Sequence, residues 1–379
     1  MNHPVRLLRV LAMLSVLGAV AAGQVRAAVA HAGALPPIHH VFLIVLENRS
    51  FTAAFGPNSP APYLARTLPA RGALLENYYA IGHWSLANYI AMMSGQAPNP
   101  ATQRDCLDVN NFRLFKPALD SHGEALGVGC VYPPLVKTLP DQLEKAGLSW
   151  KGYMEDLGED SLRDKYGTCT LQRIGQRDLT GFFTGPDGYT AKHDPFLYFH
   201  TILDDQTRCA AHVVNLDKLT QDLRSVATTP SYSFIVPNLC HDGQDEHCGN
   251  GTPGGAAGMD GFLKKWVPAI TRSPAYRKDG LLIVTFAQSD GLTPDGYDAC
   301  CGEKSLTSNP LKPGFRGPGG GKVGAVALSP FIRPGTVSSL PYNHYALLRT
   351  VEDIYGLGHL GYAGEPDLRS FGSDIFSRR

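Results

Sequence analysis

The side chains in this chain that could do chemistry stand in short clusters, most of them just past an apolar run. Glu47 and Asn48 follow Val41 to Leu46, His83 and Ser85 follow Leu74 to Tyr79, and Glu155 and Asp156 follow Leu148 to Met154. The densest cluster, NLCHDGQDEH at 238–247, follows Tyr232 to Val236, while Gln288 and Asp290 follow Leu281 to Phe286. His193 and Asp194 stand before the apolar Phe196 to Phe199. Carboxylates, amides and imidazoles grouped this way suit a metal ion or an anion, and desolvated acids left unpaired would repel one another. Each cluster also has a plainer reading. Glu47 is then solvated while Asn48 caps the next segment, Ser85 is a helix N-cap, and the acids at 155–156 are solvated loop residues. His193 is then a turn residue.

The apolar runs are the elements that must position these groups. Val41 to Leu46, Leu148 to Met154, Tyr232 to Val236, Leu281 to Phe286 and Val323 to Leu328 are too short for helices and read as buried strands. Leu74 to Tyr79 reads as one more. After Ser85, residues Leu86, Tyr89, Ile90 and Met93 keep the i, i+3, i+4, i+7 spacing of an amphipathic helix, which Gly95 stops. Ser85 therefore sits at a helix N-terminus, where backbone N–H groups and the helix dipole favour phosphate. Further helices are predicted near Tyr63 to Leu68 and over Thr138 to Ala146, Leu216 to Leu223, Gly258 to Ile270 and Tyr342 to Tyr355. Strands alternating with helices predict an α/β fold, a mostly parallel central sheet with helices on both faces. Its ligand crevice would lie at the carboxyl ends of the strands. Residues 96–135 read as a disulfide-tied excursion overhanging those ends. Residues 309–322 read as a flexible Gly- and Pro-rich loop, and Arg316 and Val323 stand where a phosphate-binding P-loop needs Gly and Ser or Thr.

Composition bounds the answer further. The 379 residues are 43% apolar, enough for one large α/β domain, expected over residues 31–379. Residues 1–30 carry Arg6 and Arg9, an apolar run from Val10 to Ala22 and the small-x-small triplet Ala28-Val29-Ala30, which predicts a cleaved secretion signal. Its loss removes three positive charges and no negative ones, leaving 31 basic against 34 acidic residues. No nucleic-acid surface and no membrane insertion are expected, and the protein is expected to be secreted or periplasmic. Eight cysteines fit export with disulfides. Cys240 with Cys248 and Cys106 with Cys130 are candidate pairs, the adjacent Cys300 and Cys301 are expected to reach different partners, and zinc at Cys240, His241, His247 and Cys248 is the lesser alternative.

Taken together, the stretches VLENRSF (45–51), GHWSLANYIAMMSG (82–95), YMED (153–156), HDPFLYF (193–199) and PNLCHD (237–242) resemble the bacterial phosphoesterases, a family that includes acid phosphatases and phospholipases C. LLIVTF (281–286), Cys300-Cys301, GAVALSPFIRPGTVS (324–338) and YNHYALLRTVEDIYGL (342–357) continue the resemblance in order. It implies an alkaline-phosphatase-like fold and a divalent metal ion, with Glu47 and Asn48 as ligands and Ser85 as the nucleophile that forms a phosphoserine. His83 and His193 match histidines placed against the phosphate or leaving group, either one a general acid. His241, Asp242 and Asp245 match the acidic strand-end motif, as further ligands or supports, and Glu155 and Asp298 are candidates for the same role. One departure stands out. Many relatives have two acidic residues where this chain has Ala287-Gln288, so the metal set would need Gln288 and Asp290, or Asp295 or Asp298 from the same loop. The resemblance implies an exported phosphomonoesterase acting on a small phosphate ester. A phospholipase C or phosphodiesterase and a catalytically impaired phosphate-ester-binding protein are the alternatives.

Overall fold

β1, His40–Leu46, is buried along its whole length, so both faces of the sheet are covered where it runs. The computed structural model describes Met1 and residues 35–377, apart from 162, 170–173, 181–186, 247, 250, 303–308 and 310. The predicted signal segment and His247 lie outside the described residues.

Seven more strands join β1: β2 (Ala73–Leu75), β3 (Trp150–Met154), β4 (Val213–Asn215), β5 (Tyr232–Val236), β6 (Gly280–Phe286), β7 (Ala325–Leu328) and β8 (Thr336–Ser338). Their order across the sheet is β8-β2-β7-β6-β1-β5-β3-β4, and every strand but β7 runs in one direction. β1 is parallel to β5 on one side, with Val41 beside Tyr232, and to β6 on the other, with His40 beside Gly280. The carboxyl ends of β6, β1, β5 and β3 therefore open side by side on one edge. This is the predicted mostly parallel α/β sheet.

Four helices matter for the site: α1 (Ser85–Ser94), α2 (Leu139–Lys145), α3 (Gly255–Arg272) and α4 (His344–Tyr355). α1 packs on α4 and is buried at every residue, and Gly95 closes it in the left-handed conformation, φ 70°. Thr138 and Asp141 make a reciprocal capping box at the start of α2.

The structure corrects several boundaries. Leu74 to Tyr79 is not one strand. β2 ends at Leu75, and Tyr78–Tyr79 belongs to a separate two-stranded sheet with Tyr342–Asn343. The Gly-rich segment near 313–322 is held against the turn before Ser85, with Gly320 N donating to Ala80 O and His83 N to Pro313 O. A Cβ on Gly320 would meet Gly82 O at 2.3 Å, so only glycine allows this approach. Cys106–Cys130 and Cys240–Cys248 are bonded as predicted, which overturns the zinc alternative. Cys300 and Cys301 bond to each other rather than to different partners, because Cys169 and Cys209 pair together and leave them no other thiol.

Candidate active site

Three chain segments meet where β1 ends. Glu47 N donates to Asp242 O, Ala287 N donates to Leu46 O and Arg49 N donates to Gln288 O, stitching the segments after β1, β5 and β6 together. Asn48 takes a left-handed backbone, φ 55°, which turns the chain sharply out of the sheet.

Ser85 comes to the same point from the other direction. Trp84 is the capping residue of α1 and makes no side-chain cap bond, so Ser85 is the first helical residue. Its Oγ donates to Glu47 Oε2 at 3.0 Å and is buried. The N-cap reading of Ser85 is thereby overturned. The turn is clamped by Asn88, whose Oδ1 accepts from Ile81 N and Gly82 N and whose Nδ2 donates to Gly82 O and Trp84 O. Trp84 itself sits at φ 71°, a costly backbone for an aromatic residue, held by this clamp.

Behind Ser85 lies a buried set of groups. His193 Nε2 is 3.3 Å from Glu47 Oε1 and its Nδ1 is 3.9 Å from Asp242 Oδ2, with the ring stacked on Tyr89. Glu47 Oε1, Asp242 Oδ2, both His193 nitrogens and Gln288 Oε1 are buried without a hydrogen-bond partner. Burial pushes the Glu47 carboxyl up to about 8, against the pull of Lys192. Burial, then the charge of Glu47, holds Asp242 well above the usual carboxylate range. Burial and Lys192 drive His193 well below its ordinary value.

In front of Ser85 is a cavity of about 430 Å³. Asn48, His83, Ser85, Gln288 and Asp290 line it, and with them Lys192, Asp105 and Arg316. His83 Nε2–H donates to Gly296 O at 2.6 Å, and burial lowers its proton affinity. Asp290 Oδ2 accepts from Ser50 Oγ.

The remaining candidates stand elsewhere. Glu155 and His241 form their own pair at 3.0 Å. Asp245 is half-buried with Lys192 as a charge neighbour, and Asp298 is exposed. Neither lines the cavity.

Sequence reasoning missed Lys192 and Asp105. Asp105 Oδ1 accepts from Leu86 N at 2.9 Å, and its Oδ2 is 3.4 Å from Lys192 Nζ. Burial would neutralise Lys192, but Asp105, Glu47 and Asp242 together hold its proton affinity above the ordinary value. The one signal in the sequence was Lys192 adjoining His193.

Residues 59–358 match the model of the phosphoesterase family. The chain is 27% identical over 362 residues to a phosphatidylinositol-3-phosphatase of Mycobacterium tuberculosis, covering 94% of this chain and 92% of that protein. It is 24% identical over 322 residues to a probable acid phosphatase of Kluyveromyces lactis, covering 84% of this chain and 59% of that longer protein. Among solved structures it is similar to a protein in the alkaline phosphatase superfamily from Vibrio parahaemolyticus, with TM-score 0.48 and 12% identity over 91% of this chain and 73% of the other. With most of its length inside the family match and phosphatases among its relatives, the chain belongs to the phosphoesterase family and is a hydrolase acting on phosphoric esters.

Proposed function

We propose that the protein is an exported phosphomonoesterase of acid-phosphatase type, which cleaves its esters through a phosphoserine at Ser85 with the help of a divalent cation. The observation that carries this reading is the 3.0 Å hydrogen bond from Ser85 Oγ to a buried Glu47 carboxylate at the floor of a 430 Å³ cavity. A hydroxyl there, at the positive end of α1, can lose its proton and attack phosphorus.

The donor set fits a hard cation. Gln288 Oε1 is a buried oxygen without a partner on the cavity wall that Asn48 and Asp290 also line, and Glu47 Oε1, likewise without one, lies behind Ser85. Among the described residues no three His, Cys, Asp or Glu side chains group as a metal site, so the amide oxygens of Asn48 and Gln288 would have to share in holding the ion. Ala287 brings no ligand, and Asp290 is the acid of that loop which reaches the cavity. When bound, the cation would neutralise phosphate charge and favour the ionised Ser85.

The chain's own groups do the rest. Ser85 Oγ attacks in line and its proton passes to Glu47 Oε2. Lys192 pulls Glu47 toward the ionised form that a base requires. Lys192, pinned by Asp105, meets the negative charge of the phosphate. His83 is the histidine on the cavity wall and, when doubly protonated, gives its Nδ1 proton to the leaving oxygen while Nε2–H stays on Gly296 O; His193 lies behind Glu47. The ester P–O bond breaks as Ser85 Oγ–P forms; water then attacks phosphorus and gives a proton to His83, the Ser85 Oγ–P bond breaks, and Glu47 returns its proton to Ser85 Oγ.

Export and a single catalytic domain over 31–379 belong to the same proposal. The paired cysteines support it, and among the described residues no helix is long and apolar enough to cross a membrane. The test is hydrolysis of p-nitrophenyl phosphate that a chelator abolishes, with label from a labelled ester trapped on Ser85 after acid quench. Turnover that survives chelation, or label on another residue, overturns the mechanism.

A further inference from the structure

We infer that Trp84, Leu292 and Phe315 form an apolar mouth that selects phosphate monoesters of apolar or aromatic alcohols, an inference that rests on the phosphatase reading above. Ser85 is at the cavity floor, 1% exposed. In-line attack puts the breaking P–O bond on the far side of phosphorus from Ser85 Oγ, so the leaving alcohol points out of the cavity. What it meets there decides which alcohols are favoured.

Three large apolar side chains that line this cavity stand in solvent: Trp84 at 43%, Leu292 at 87% and Phe315 at 37% exposure. Scattered exposed apolar residues are ordinary, but three around one polar cavity make a patch of the kind that binds. The backbone gives independent support. Trp84 and Phe315 both have left-handed φ values, 71° and 57°. Such conformations are unfavourable for aromatic residues and persist where the surroundings enforce them, chiefly at functional sites. Asn88 Nδ2, donating to Trp84 O at 3.0 Å, supplies that enforcement for Trp84. A hydroxyl-rich leaving group would give up water against these surfaces without gaining hydrogen bonds, whereas an alkyl or aryl group covers them.

The test is a series of n-alkyl phosphates from ethyl to octyl, whose leaving alcohols have nearly equal pKa values, so that only apolar contact changes. The expected result is a rise in kcat/KM of about twofold or more per methylene until the mouth is spanned. Leu292→Ser and Phe315→Ser together should cut that slope by at least half. Leu292→Ser alone, at a side chain too exposed to support the core, should lower it and serves if the double variant fails to fold. Val337→Ser, exposed on β8 and absent from the cavity wall, should leave the slope intact. A flat series on an enzyme that hydrolyses p-nitrophenyl phosphate, or a slope untouched by the variants, overturns the apolar mouth alone. No turnover of any ester overturns the phosphatase reading and the mouth together.

Discussion

Two glutamates end parallel strands of this sheet, and each faces a histidine. Glu47 after β1 lies 3.3 Å from His193, and Glu155 after β3 lies 3.0 Å from His241. The side chains of the first pair are 0% and 1% exposed, those of the second 16% and 36%. Depth and partners reverse their chemistry. Burial raises Glu47 and lowers His193, so both favour their neutral forms and keep atoms without partners. His241 is raised, chiefly by its hydrogen bond to Glu155, and Glu155 also accepts from Asn238 N. The outer pair is a satisfied ion pair. The inner one is an electrostatic deficit that a cation, a phosphate and a reacting hydroxyl can fill.

The sharpest break of this comparison is Ser85→Ala, which removes the hydroxyl that donates to Glu47 of the inner pair and is the proposed nucleophile. Loss of kcat by about 10³-fold or more is expected, with the fold retained by circular dichroism. An activity above about a tenth of wild type would end the distinction between the two pairs. Next comes the matched exchange of the glutamates. Glu47→Gln should lower kcat by about 10²- to 10⁴-fold, the range for a general base. Glu155→Gln should change it less than about fivefold, because a half-exposed pair is worth under ~1 kcal/mol.

Cation binding sharpens the contrast in a readout independent of turnover. At 100 times its dissociation constant a divalent ion should stabilise the protein by about 2.7 kcal/mol, seen as a raised melting temperature. Glu155→Gln should keep that increment and Glu47→Gln should lose most of it. The smallest effect is the pH dependence of the outer pair. Because the proton affinity of His241 is raised, its contribution to stability is complete below its ordinary value of 6.5 and is lost as pH rises through the raised value. His241→Gln should therefore flatten the fall of stability above pH 6.5, by under about 1 kcal/mol given its exposure. A steepened fall would show that the ion pair is misassigned. His193 acts with the opposite sign, its buried neutral ring losing stability as pH falls below its ordinary value.

The sequence showed that both glutamates end strands, because Glu47 follows the uniformly apolar Val41 to Leu46 and Glu155 follows the strand-like Leu148 to Met154. It could not show which of the two is deep, since depth depends on Tyr89 and His193 closing over Glu47 from distant segments. Ser85 was legible through the helix period of Leu86, Tyr89, Ile90 and Met93. Lys192 was not, because its meaning depends on Asp105, a partner far away in the chain. β4 and β8 have three residues each, too few to show a period. The false strand from Leu74 to Tyr79 has the same kind of cause. Glu76 and Asn77 interrupt it: Glu76 N donates to Ser338 O and the backbone turns there.

The place of β1 in the sheet has a consequence for how the protein is made. It comes first in the chain among the described strands, yet its neighbours are β5, at Tyr232–Val236, and β6, at Gly280–Phe286. Until those are made, the nascent chain carries six consecutive apolar residues, Val41 to Leu46, with both edges open, an adhesive ribbon for any similar strand nearby. Closure of the sheet waits on contacts remote in sequence, which is the topology of slow folding.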